Sequence, residues 1–141
     1  MPENSNSKWT PDEDALLKSL IEANMSAFMA KTQILPAALR YQGQVASSIN
    51  ASKTAGVDVS MQVEELKELT GTITELQKGI VKLEKALHHH ADGDAYAHAK
   101  NARDTILPAM ADTRKAADKL ETIVADDLWP LPTYREMLFI K

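Results

Sequence analysis

The chain has 141 residues, a formal net charge of −4 and no cysteine. That length suits one domain, the mixed charge offers no basic field for a nucleic-acid backbone, and a disulfide framework or thiolate metal site is excluded. Charged residues make up 26% and aromatic residues only 5%, a balance that favours packed helices over sheets. No apolar run approaches the length of a membrane span and no signal-like start is present, so the expected compartment is the cytoplasm.

Residues 1–8 are polar, and residues 1–9 read as a flexible N-terminal segment. A first helix then announces itself in "TPDED": Thr10 is placed to cap, Pro11 sits at the first helical position, and Glu13 completes a capping box. Apolar residues follow at helical spacing through Leu17, Ile21, Phe28 and Leu35, and the pattern continues past Pro36 as Ala38, Val45 and Ile49. The expectation is one long helix, kinked or broken near Pro36, because a proline there removes a backbone bond to the Thr32 carbonyl and crowds that turn. The methionines, Met25 and Met29 among them, read as core filler rather than as a binding surface.

The second segment has the strongest period in the sequence. Leu66, Leu69, Ile73, Leu76, Ile80, Leu83 and Leu87 alternate steps of three and four, an unbroken heptad seam. Ser60 is the expected cap, with lysines toward the far end as the helix dipole favours. A helix of this extent is about 45 Å long, and its seam requires a partner. The third segment carries Ala95, Ala99, Ala102, Ile106, Ala109, Ala116, Leu120 and Val124 on one face. A short connection makes it an antiparallel neighbour of the second.

The fold class that follows is all-α: an antiparallel bundle of three long helices over residues 10–127, then a Pro-rich extended tail over 128–141 ending in a short helix. The four letters Ile-Leu-Pro-Ala occur twice, at 34–37 and 106–109. Each occurrence interrupts a strong helical pattern, which favours a matched pair of bends over chance.

Catalytic signals are sparse. His88, His89, His90, Asp92, Asp94 and His98 cluster in "HHHADGDAYAH", residue types able to bind zinc or another divalent ion. Consecutive helical residues point about 100° apart, so few of them can converge on one ion. Helix-end capping and dipole effects account for the cluster more simply. No metal, catalytic or cofactor residue is assigned: phosphate loops, nucleophile elbows and dinucleotide fingerprints are lacking.

Specificity returns in the tail. "DDLWPLPTYREMLF", with "ILPAALRYQ" and "ARDTILPAM" upstream, resembles the C-terminal helical region of type III glutamine synthetases, over about residues 20–139. The resemblance implies a parent enzyme that joins ammonia to glutamate with ATP and a divalent metal, in large cytoplasmic homo-oligomers. It carries none of that enzyme's active-site residues onto this chain, whose implied role is structural. The implied partners are the remainder of the enzyme and its neighbouring subunits, with neither nucleic acid nor membrane. Leu128, Trp129, Pro130, Pro132, Tyr134, Leu138 and Phe139 are the expected docking residues. Their apolar side chains need cover, and the prolines stiffen the crossing. The competing reading is a stand-alone helical interaction module with a histidine metal or phosphoryl site.

Overall fold

A computed structural model of the chain describes residues 10–89 and 95–139. Its elements are α1 (Pro11–Met29), α2 (Leu35–Thr54), α3 (Ser60–His88), α4 (Ala95–Asn101), α5 (Leu107–Ile123) and α6 (Tyr134–Leu138). Five-residue π-helical turns, Ala30–Ile34 and Ala102–Ile106, join α1 to α2 and α4 to α5. Among the described residues all regular structure is helical, as composition and period imply.

α1 begins as its sequence dictates. The Glu13 N–H donates to Thr10 Oγ1 at 3.2 Å and the Thr10 N–H to Glu13 Oε2 at 2.8 Å, so two otherwise orphaned donors are satisfied reciprocally. At Pro36 the helix does not break. Ala30, Ile34 and Leu35 keep right-handed helical dihedrals, and the Leu35 N–H reaches back five residues to the Ala30 carbonyl. Widening that turn makes room for a ring that would otherwise strike the preceding turn. The Leu107 N–H likewise bonds the Ala102 carbonyl just before Pro108. The repeated Ile-Leu-Pro-Ala thus marks one structural device used twice.

α3 starts differently from expectation. Val59 occupies the cap position without a side-chain bond, and Ser60 is the first helical residue. Asp58 supplies the acceptor instead, taking the Ser60 N–H at 3.2 Å and its hydroxyl at 2.6 Å. These bonds to Ser60, the hydroxyl first, hold the Asp58 carboxyl below its ordinary range.

The seam of α3 is the spine of the core. Leu69, Ile73, Leu76 and Ile80 are buried in a cluster with Ala30, Ile34, Ala38, Ala116, Leu120 and Val124. A second cluster joins Leu83 and Ala86 to Ala23, Ala27, Ala102, Ile106 and Ala109. Surface contacts fix the register. Lys31 meets Glu84 at 2.8 Å and Gln42 meets Thr70 at 2.8 Å, while Lys82 meets Asp112 at 3.0 Å and Lys119 meets Glu68 at 3.2 Å. Numbers rising along α1–α2 and along α5 meet numbers falling along α3. α3 and α5 approach closely at Gly79, where an added Cβ would lie 2.9 Å from Thr113 Oγ1 and 3.2 Å from Thr113 Cα. Thr113 is itself buried and donates its hydroxyl to the Ala109 carbonyl at 2.9 Å.

Candidate docking surface

After α5 the chain turns sharply. Val124 is extended and buried, and the N–H groups of Leu128 and Trp129 both return to the Ala125 carbonyl, at 3.0 and 3.2 Å. Pro130 and Pro132 then prevent helical continuation, and the segment crosses the bundle with Leu128, Trp129 and Leu131 half-buried against the first cluster. Both prolines stay exposed. The indole N–H of Trp129 is buried with no acceptor among the described atoms.

Thr133 opens α6 with the same reciprocal cap as Thr10. The Glu136 N–H donates to Thr133 Oγ1 at 3.3 Å and the Thr133 N–H to Glu136 Oε2 at 2.8 Å. The side chains beyond do not find cover: Leu138 is 78% and Phe139 74% exposed, with Met137 also open. The side chain of Tyr134 lies outside the described residues. The docking segment therefore divides. Its proximal half, Leu128 and Trp129, packs on its own bundle. For Leu138 and Phe139 the expectation of cover fails within this chain, where both side chains stand largely in the open.

A second apolar surface was not foreseen. Leu17, Ile21, Met25 and Phe28 form a continuous ridge along α1, and all are exposed, Phe28 at 64%. The expectation that Leu17, Ile21 and Phe28 face the core, and that Met25 fills it, is corrected. The inward face of α1 is built from Leu16, Leu20, Ala23 and Ala27. Alanines let α1 approach closely, which leaves no room on that face for the larger set. One signal was available: α1 carries two interleaved apolar sets, 16/20/23/27 and 17/21/25/28, and one helix face cannot bury both.

Of the histidine cluster, His88 and His89 are exposed at the end of α3 and His98 is exposed on α4. His90, Asp92 and Asp94 lie outside the described residues. His89 and His98 border a cleft with Leu16, Leu20, Asn24 and Asn101. Among the described residues no three His, Asp or Glu side chains converge as a metal site would need, and no helix is long and apolar enough to cross a membrane.

No family model matches the chain. It is 30% identical over 128 residues to a type-3 glutamine synthetase of Dictyostelium discoideum, an alignment covering 86% of this chain and 17% of that protein. It is 26% identical over 138 residues to a glutamine synthetase of Bacteroides fragilis (strain YCH46), covering 92% of this chain and 19% of the relative. The chain spans less than a fifth of the length of either relative. The resemblance to the C-terminal helical region of type III glutamine synthetases thus extends over nearly the whole chain.

Proposed function

We propose that this chain is the helical structural and assembly domain of a type III glutamine synthetase: an antiparallel bundle of three rods that performs no chemistry and presents apolar surface to the rest of the enzyme. One observation carries the reading. A chain aligned with under a fifth of its relatives leaves two sizeable apolar surfaces uncovered, the α1 ridge and the end of the tail. Contiguous apolar surface rimmed by charge marks an interaction site.

In this reading ATP, glutamate, ammonia and the divalent metal are bound by other parts of the parent enzyme, in the cytoplasm. The bundle holds neighbouring parts or subunits of a homo-oligomer in register. Two measurements test it. Purified chain supplied with ATP, glutamate, ammonia and magnesium forms no glutamine. Deleting the matching segment from the Bacteroides fragilis enzyme lowers its assembled mass in light scattering. Turnover by the isolated chain, or a truncated enzyme of unchanged subunit number, would overturn the proposal.

A further inference from the structure

The uncovered surfaces lie at opposite ends of the bundle. The α1 ridge flanks Ala23 and Ala27, which pack at the Leu83–Ala86 end of α3. α6 sits where α5 terminates: Arg135, Glu136 and Phe139 border a shallow cleft with Asp126, beyond the Leu69 end of α3. Along α3, Leu69 and Leu83 are separated by about 20 Å of helix. Among the described residues the tail end therefore does not cover the ridge.

We infer that each covers the other between two copies of the chain. A two-fold axis perpendicular to the bundle lays two copies side by side in opposite directions. The α6 end of each then meets the ridge end of its partner. Met137, Leu138 and Phe139 of one copy pack over Leu17, Ile21, Met25 and Phe28 of the other, and the same contact forms twice because the interface is isologous.

Area selects this occupant. Taking roughly 150–250 Å² for a fully exposed large side chain, the exposed fractions put about 400 Å² on each patch. Reciprocal exchange covers both patches on both copies, about 1,600 Å² in all, the size of a standard stable interface. Ridge against ridge covers only about half of that and leaves both tails exposed.

The inference rests on the docking role proposed above and names its partner. A monomeric chain whose relative still loses assembly on truncation would leave that role standing and remove this partner alone. The chain is free of cysteine, so one can be placed on each patch as Met25→Cys and Leu138→Cys, both at exposed positions. When the two variants are mixed and air-oxidised, a disulfide-linked heterodimer forms faster than either homodimer. In sedimentation equilibrium the parent is a dimer. Phe28→Ser and Leu138→Ser each raise its dissociation constant about tenfold or more, with circular dichroism unchanged. Three results would overturn the inference: a parent that stays monomeric through the micromolar range, Met25→Cys homodimers forming first, or an internal disulfide in the doubly substituted chain.

Discussion

α3 and α1 are both long amphipathic helices of one bundle, yet they use their large side chains in opposite ways. α3 turns its leucines and isoleucines inward. Leu69, Leu76 and Leu83 are almost wholly buried, and its outer face is charged. α1 turns alanines inward at 23 and 27 and leaves Leu17, Ile21, Met25 and Phe28 outside. Burial of apolar side chains stabilises by roughly 25 cal/mol per Å². The large residues of α3 therefore hold this fold together, whereas in α1 only Leu16 and Leu20 do so, and Leu17, Ile21, Met25 and Phe28 contribute little to it and are available to a partner. Two amphipathic helices of one bundle can thus put their large apolar side chains to folding in one case and to recognition in the other.

The sharpest test of that division is a matched pair of truncations. Leu76→Ala empties a site that is 0% exposed in the first cluster and is expected to destabilise by about 2–5 kcal/mol. Phe28→Ala removes a larger side chain from the ridge and is expected to change monomer stability by less than about 0.5 kcal/mol. Urea unfolding of both variants at concentrations that keep the chain monomeric measures the contrast. A Phe28→Ala loss as large as that of Leu76→Ala would erase the distinction between the two helices.

Gly79 probes the same contrast from the backbone. α3 can seat its large side chains against α5 because the helices nearly touch at Gly79 and Thr113. Gly79→Ala gains roughly 1 kcal/mol in helix propensity, but its Cβ collides with Thr113 at the hydroxyl and at the main chain. Over-packing of this kind costs about 1–3 kcal/mol, so the expected net is a loss of up to about 2 kcal/mol. Gly43, with open space around its Cβ position, is the control: Gly43→Ala is expected to stabilise by up to about 1 kcal/mol. Equal effects at both positions in thermal unfolding would show that the contact yields without cost.

How much of this was legible varies with the strength of the periodic signal. The α3 seam could be read residue by residue, since a large apolar side chain every three or four positions has one face to occupy. The α5 face could also be read, apart from the buried Thr113, which satisfies its hydroxyl on the Ala109 carbonyl and so passes as apolar. α1 was misread because half of its inward face, Ala23 and Ala27, is alanine, whose modest hydrophobicity lost to the larger residues beside it. The two prolines signalled a disturbance but not its form, since a π turn and a break remove the same bond to the carbonyl four residues back. In the docking segment the cap at Thr133 went unread, although T-Y-R-E repeats the spacing of T-P-D-E at Thr10. What covers Leu138 and Phe139 was not visible, because that depends on surfaces distant in sequence.

The smallest expected effect concerns how α3 is started. Asp58 has its carboxyl held below the ordinary value of 3.8, first by the Ser60 hydroxyl and then by the Ser60 N–H. A carboxyl whose value is lower folded than unfolded stabilises fully above the unfolded value, and that contribution disappears as pH falls through the folded one. Asp58 is fully exposed, so water screens the contribution and the effect is small. Asp58→Ala is accordingly expected to lower the melting temperature slightly at neutral pH. The gap between variant and parent should narrow as pH is lowered below the ordinary aspartate range. Ser60→Ala, which removes the hydroxyl donor and leaves the N–H, should reproduce part of the neutral-pH change. A gap for Asp58→Ala that persists undiminished in acid would mean that the aspartate acts through its backbone conformation in the turn before α3 rather than through its charge. α3, whose seam leucines hold the bundle together, would then owe its start to the shape of that turn alone.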